Sequence, residues 1–159
     1  MRSKTSDSQE DALQRALRFV AHRARSEAEV TSYLVRRGYS QAVTEGTLEK
    51  LRSFNYLNDE SFARDWARSR LENQGYGPRR IEHELETRGI AETLIRAAVR
   101  ETFGHGVEAE QARLILKNNF KGKTLEDPKI LRRAATFLQR QGYSNSVISD
   151  LLNVSLEDD

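Results

Sequence analysis

The sequence predicts an all-α protein of three tandem three-helix repeats that form an elongated, curved body. Apolar residues recur at helical spacing through almost the whole chain, and alternating β-branched runs are rare. Only two prolines and 31% charged residues also favour helices. A helix stop is repeated as Gly38-Tyr39, Gly89-Ile90 and Gly142-Tyr143, with the glycines 51 and 53 residues apart, as in a tandem repeat.

The first unit is predicted over residues 11–57, after a flexible polar N-terminus at residues 1–10. Its first helix is expected to begin at Asp11, where an apolar stripe starts. The second begins with a capping box of Ser26 and Glu29, and the third with Ser40 as its N-cap. Asn55, near the end of the unit, is expected in the left-handed conformation.

The second unit is predicted over residues 58–104. Asn58 is expected to cap the fourth helix, since acidic residues follow it in the first turn. Trp66 lies on the apolar stripe of that helix, so we interpret it as a core residue rather than a base-stacking platform. The sixth helix is expected from about Glu92 to Thr102.

The fifth helix, Pro78 to Arg88, has both ends specified. Pro78 suits the first helical position, and Gly89 suits the left-handed residue after the last turn. Arg79 and Arg80 occupy the first turn, where the positive end of the macrodipole favours acids instead. Two interpretations stay open: the arginines are solvated or paired with nearby glutamates, or they form an anion site together with free backbone N–H groups.

The third unit is predicted over residues 105–154 and an acidic tail over residues 155–159. Gly104-His105-Gly106 separates the seventh helix from the second unit. Asp127-Pro128 provides an N-cap and a first helical residue for the eighth helix, and Ser144 caps the ninth.

Composition limits the possible functions. The net charge is +2, but residues 1–149 carry +6, a balance that suits nucleic acid or an acidic protein surface. The absence of cysteine excludes disulfides, a thiolate metal site and a catalytic cysteine. No apolar run is long enough to span a membrane and no secretory leader is recognisable, so we expect a cytoplasmic protein. We also expect a monomer.

No catalytic, metal or cofactor site is predicted. Gly122-Lys123-Thr124 resembles the end of a phosphate-binding loop, but Lys117 stands where its first glycine is required. His83-Glu84 begins like a zinc-protease motif, but Thr87 replaces the second histidine. Glu82, Glu84 and Glu86 are interpreted as a solvated helix face, and an enzyme is not expected.

Several of these segments resemble the RecX family, which regulates the bacterial recombinase RecA. The matching segments are Ser26 to Leu34 with Gly38, Tyr56 to Ala63, and Gly75 to Pro78 with Ile81, Leu85 and Gly89-Ile90, together with a looser match at Phe137-Leu138 and Gly142-Tyr143. Asn55 and Asn58 depart from the family's usual glycine and aspartate but keep the turn and cap chemistry. The resemblance implies binding to RecA filaments along their helical groove, mostly inhibitory modulation of ATPase, strand-exchange and co-protease activity in DNA repair, and some non-specific DNA binding.

The contact residues are predicted from charge, since the resemblance supplies no transferable binding motif. The candidates are cations on the three units: Arg18, Arg23, Arg25, Arg64, Arg68, Arg79, Arg80, Lys121, Lys123, Arg132 and Arg133. For each one the alternative is a solvated surface cation. A second hypothesis is a helix-turn-helix DNA-binding module, but the third helix of the first unit carries Glu45 and Glu49, where base-reading helices usually offer other residues.

Overall fold

The computed structural model describes residues 4–156, with side chains from Ser8 onwards, and these residues form nine α-helices and no strand. The helices are α1 (Lys4–His22), α2 (Glu27–Arg36), α3 (Gln41–Ser53), α4 (Asp59–Gln74), α5 (Pro78–Thr87), α6 (Glu92–Phe103), α7 (Val107–Asn119), α8 (Pro128–Gln141) and α9 (Asn145–Leu152). The predicted all-α fold of three three-helix units is confirmed.

The ends of the helices follow the local signals in the sequence. Ser26 and Glu29 form the capping box of α2, and Asn55 has the left-handed φ of 61°. The side chains of four other predicted caps accept a backbone N–H at the start of their helices: Ser40, Asn58, Asp127 and Ser144. These groups therefore satisfy donors that the first turn of a helix leaves without a partner.

The first helix is longer than the sequence predicts. Helix α1 begins at Lys4 rather than at the predicted Asp11, so residues 4–10 of the predicted flexible segment are helical. Gln9, in the second turn of α1, lies against α3 at Gly46, where an added Cβ would be 3.3 Å from the Gln9 Cδ. Residues 1–3, and residues 157–159 of the predicted acidic tail, lie outside the described residues.

Each unit has its own hydrophobic core, and the three cores share one construction. Leu34, Leu85 and Leu138 are fully buried at equivalent positions, one in each core. Their carbonyls accept the backbone N–H of Tyr39, Ile90 and Tyr143 at 3.3, 3.1 and 3.1 Å. The intervening glycines have φ values of 87°, 74° and 96°, the left-handed region that glycine favours. The repeated helix stop is thus a Schellman-type ending in all three units.

The first joint between units brings the stop of α5 against the start of α2. Ser26 Oγ donates a hydrogen bond of 2.6 Å to the Arg88 carbonyl oxygen. A Cβ on Gly89 would overlap the Cβ of Ala28, so glycine is needed here for close approach as well as for its φ. The Glu27 N–H, also at the start of α2, donates to Asp59 Oδ1 of the second unit at 2.9 Å.

The second joint repeats this arrangement one unit later, with the stop of α8 against the start of α5. The N–H groups of Gly77 and Arg79 donate to the carbonyls of Gln141 and Gly142 at 2.7 and 2.9 Å. Tyr143 Oη adds a hydrogen bond of 2.8 Å to the Gly75 carbonyl. Backbone groups therefore provide much of this joint, which fixes the spacing between the units.

The units are joined end to end rather than packed into one globule. The accessible surface is 10563 Å², whereas a compact protein of this mass exposes roughly 8,100 Å². Gly38, at the outer end of the first unit, has nothing within 4 Å of a Cβ position. The large surface agrees with the predicted elongated body.

Candidate interaction surface

Arg23 and Arg25 lie at the boundary of the first two units and line two clefts there, each of about 390 Å³. Arg23 is 3.4 Å from Glu29 Oε1. Arg25 lies over the Phe19 ring at 3.9 Å and donates to the Phe19 carbonyl at 3.3 Å. Burial lowers the pKa of Arg25, and the neighbouring Arg23 charge adds to this, although a guanidinium stays charged in a protein. Both cations thus have partners within the chain.

Arg64 and Arg68 lie on α4 and line a separate cleft of about 250 Å³. Arg64 pairs with Glu60 at 3.1 Å and with Glu101 of α6 at 3.2 Å. Arg68 pairs with Asp65 at 2.7 Å. These two predicted contact residues therefore lie in a mixed-charge surface, and a partner would have to compete with acids on the same helices.

The backbone part of the anion-site interpretation for Arg79 and Arg80 is wrong. The Arg79 N–H is bonded to the Gly142 carbonyl, and Gly142 lies directly against the Arg80 backbone, so this end of α5 is covered by the third unit. The Arg80 guanidinium lies 3.7 Å from the centroid of Tyr76 and donates to the Arg140 carbonyl. Arg79 remains exposed. Burial raises the pKa of the nearby Glu82 carboxyl, the Glu86 charge adds to this, and the Arg79 charge opposes it.

A basic groove runs along α8 and has a volume of about 540 Å³. Arg132 and Arg133 line it, and so do two cations outside the predicted set, Lys129 and Arg140. Phe120 and Phe137 form its apolar part, with ring centroids 5.7 Å apart at an edge-on angle of 63°. No described carboxylate lines the groove.

The four cations of the α8 groove are exposed, and within residues 8–156 none of them forms an ion pair. They follow one side of the helix, with successive separations of three, one and seven residues, opposite its buried face. That spacing was readable in the sequence. Because these cations have no acid to neutralise them, they are better placed than Arg64 and Arg68 to attract an anionic partner.

The remaining predicted cations are more dispersed. Arg18 is exposed on α1, and Lys121 and Lys123 are exposed in the loop that leads from α7 to α8. The structure thus brings Arg80 next to Arg140 of the α8 groove, but Arg64 and Arg68 form a separate cluster. The predicted cations form several local surfaces.

Metal-binding clusters and membrane-spanning helices are both absent from the described residues. No group of three or more His, Asp or Glu side chains in the described part of the chain could hold a metal ion. None of the helices in that part is both long and apolar enough to cross a membrane.

Comparison with known proteins identifies the repeated units. Residues 12–51 match the family model for the first three-helix domain of RecX, and residues 58–99 match the model for its second three-helix domain. These ranges lie within the first and second structural units. The family models and the coordinates therefore divide this part of the chain in the same way.

Relatives match over most of the chain. It is 32% identical over 153 residues to a regulatory protein RecX from Mycobacterium sp. strain JLS, with 93% of this chain and 83% of the relative covered. A regulatory protein RecX from Geobacillus thermodenitrificans strain NG80-2 is 35% identical over 142 residues, covering 89% of this chain but 52% of that longer protein.

Solved structures have the same fold. A crystal structure of a regulatory protein RecX superposes with a TM-score of 0.77 at 25% identity, covering 94% of this chain and 74% of the other. The crystal structure of RecX from Lactobacillus salivarius gives a TM-score of 0.81 at 18% identity, covering 93% and 96%. With the two family models and the 32% identical relative, these likenesses show that the chain belongs to the RecX family.

Proposed function

We propose that this chain is a non-enzymatic regulator that binds filaments of the recombinase RecA in their helical groove and lowers their ATPase, strand-exchange and co-protease activities. It acts in the cytoplasm as a monomer, in DNA repair, and binds DNA by itself only weakly and without sequence specificity. Membership of the RecX family supports the regulatory role.

The observation that carries the proposal is the α8 groove, with its four unpaired cations on an elongated body of units joined end to end. A filament assembled on DNA repeats phosphates along its length, and an extended cationic surface can meet several of them at once. Weak contacts that are held at fixed spacing reinforce one another through effective concentration. An elongated chain therefore suits a polymer better than a single small ligand.

The structure gives no support to sequence-specific DNA reading by α3. Glu45 and Glu49 are both exposed on that helix, so a duplex approaching it would meet carboxylates next to its phosphates. This repulsion disfavours a helix-turn-helix role for the first unit.

The direct test measures ATP hydrolysis by RecA on single-stranded DNA as the purified chain is added. We expect the chain to lower the rate, and the Arg132→Glu/Arg133→Glu variant to need about tenfold more protein for half the effect, since about 1.4 kcal/mol of lost binding corresponds to that factor. A matched control is Lys50→Glu/Arg100→Glu, which makes the same charge change at exposed positions outside the α8 groove.

Two results would contradict these statements. No effect of the wild-type chain on the ATPase at any concentration would reject the regulatory proposal. Equal weakening by the two charge-reversal variants would show that net charge matters and the α8 groove does not. Arg79→Glu is a further variant, but Arg80 should be left intact because its guanidinium contacts Arg140 across the second joint.

A further inference from the structure

Two aromatic side chains project into solvent at the corner between α3 and α4. Phe54 is 62% exposed and Tyr56 is 56% exposed, and their ring centroids lie 6.4 Å apart. The left-handed Asn55 between them and a 2.9 Å hydrogen bond from the Tyr56 N–H to the Leu51 carbonyl fix the backbone. Leu57, the next residue, is buried in the first core. The corner is therefore a well-ordered turn that presents two large apolar surfaces to solvent.

Tyr56 also lines one of the two clefts at the boundary between the first two units. This cleft has a volume of about 390 Å³, and its walls come from both units: Arg23 and Arg25 from the first, and Asn58, Phe62 and Trp66 from the second. Concave sites walled by Tyr, Trp and Arg are where partner side chains contribute most to protein interfaces. Its size is in the range that can enclose one large side chain.

The cleft is a poor site for a stacked nucleobase. The Trp66 ring is already in contact with Phe62, at a centroid distance of 5.6 Å, and with Arg88, at 3.8 Å. Asp65 lines the cleft and would repel a phosphate. Its two arginines are engaged with Glu29 and with the Phe19 carbonyl. Phosphate binding is better served by the unpaired cations of the α8 groove.

We propose that this cleft is an anchor pocket that receives one large apolar or aromatic side chain from a protein segment of the RecA filament, with Phe54 and Tyr56 packing against that segment at the rim. This inference rests on the proposed function, and it adds an apolar component to recognition by charge. Because both units form the walls of the cleft, an inserted side chain would contact the two units at the first joint. Contacts of this kind resist salt, whereas exposed ionic contacts weaken as salt screens them.

The test compares binding of fluorescently labelled chain to RecA filaments at low and at high salt. We expect Phe54→Ser/Tyr56→Ser to bind at least about tenfold more weakly at both salt concentrations, as for loss of an interface hot spot. Leu114→Ser is the matched control, because Leu114 is 51% exposed on α7 of the third unit and does not line the cleft. That control should bind like wild type.

The outcomes separate the two proposals. If the wild-type chain does not bind filaments at all, the proposed function fails. If it binds and the double variant binds equally well, the function stands and the anchor pocket is rejected. A parallel loss of binding to single-stranded DNA without RecA would assign the pocket to a nucleobase and would also reject the inference. The replaced side chains are exposed, so unchanged circular dichroism is expected for each variant.

Discussion

Replacing Gly142 by alanine tests whether the repeated helix stop also holds the units together. At position 142 an added Cβ would lie 2.9 Å from the Arg80 Cα and closer still to its backbone nitrogen, so the start of α5 would have to move. Gly38 provides the matched control. It has a similar φ, 87° against 96°, but no atom within 4 Å of its Cβ position. The two substitutions share the backbone strain and differ in the steric overlap.

The expected magnitudes follow from this difference. Alanine in the left-handed region costs about 1.5 kcal/mol, and Gly38→Ala should lower the free energy of unfolding by that amount. At Gly142 the displacement should also break the hydrogen bonds from Gly77 and Arg79 to the end of α8, at about 1 kcal/mol each. The total is about 3.5 kcal/mol. For a chain of this length these losses correspond to falls in Tm of about 5 °C and about 10 °C.

Thermal and urea unfolding followed by circular dichroism would measure both variants. A larger loss at Gly142 than at Gly38 is expected, together with earlier melting of the third unit. Hydrogen exchange would detect that melting as loss of protection confined to α7, α8 and α9. Equal losses for the two variants would refute the reasoning, because they would show that the glycines serve only the backbone conformation and that the joint carries no measurable energy.

Two further predictions concern the same joints. Ser26→Ala should lower the free energy of unfolding by about 2 kcal/mol, because it removes an N-cap, worth about 1 kcal/mol, and also the hydrogen bond to the Arg88 carbonyl. Ser40→Ala removes only a cap. It should lower the free energy of unfolding by about half as much in the same urea titration. Burial, with the Glu108 charge adding to it, raises the pKa of Tyr143 to about 12, whereas an unfolded tyrosine ionises near about pH 10. The free energy of unfolding should therefore decline as pH rises from about 10 towards 12. Tyr143→Phe should be less stable at neutral pH, because it loses the hydrogen bond to the Gly75 carbonyl, but its free energy of unfolding should decline less over that pH range. An unchanged alkaline slope in this variant would contradict the assignment.

The parts of the fold that were predictable are those specified within a few residues. A serine N-cap, a proline at the first helical position and a glycine after the last turn act through their own backbone neighbourhood, so α2, α5, α8 and their stops could be located from sequence. Helix α1 was placed seven residues too late because its first turns are polar. Gln9 in these turns lies against Gly46 of α3, a contact between helices that no local signal in the sequence predicts.

The sequence does not show that Gly89 and Gly142 also allow two units to approach closely. Gly89 and Gly142 have the signature of a helix stop, and so does Gly38, although it lies at no joint. Only the coordinates distinguish a glycine required by φ alone from one that also lets two units approach. The sequence also does not show that the N–H groups at the start of α5 are occupied, because their acceptors lie 63 and 64 residues away in the chain.

Prediction of the candidate surface was limited by the pairing of charges. Arg64 has an acid four residues before it in Glu60, and Arg68 has one three residues before it in Asp65, so their local ion pairs could have been read from helical spacing. The same spacing places Lys129 and Arg140 on the side of α8 that carries Arg132 and Arg133, yet neither was selected. The exposure of Phe54 and Tyr56 was not predictable, since aromatic residues at a helix end are usually buried.

The distribution of charge among the units connects the joints to binding. Residues 11–57 and residues 105–154 each carry eight cations and five acids, whereas residues 58–104 carry eight cations and nine acids. Within these ranges the excess of cations thus lies in the two outer units, and the middle unit sets the distance between them. When two contacts are held at a fixed separation, the second binds with a high effective concentration only if that separation matches the target. If the chain binds filaments as proposed, the backbone hydrogen bonds of the second joint, and the glycine that permits them, contribute to recognition by setting this separation.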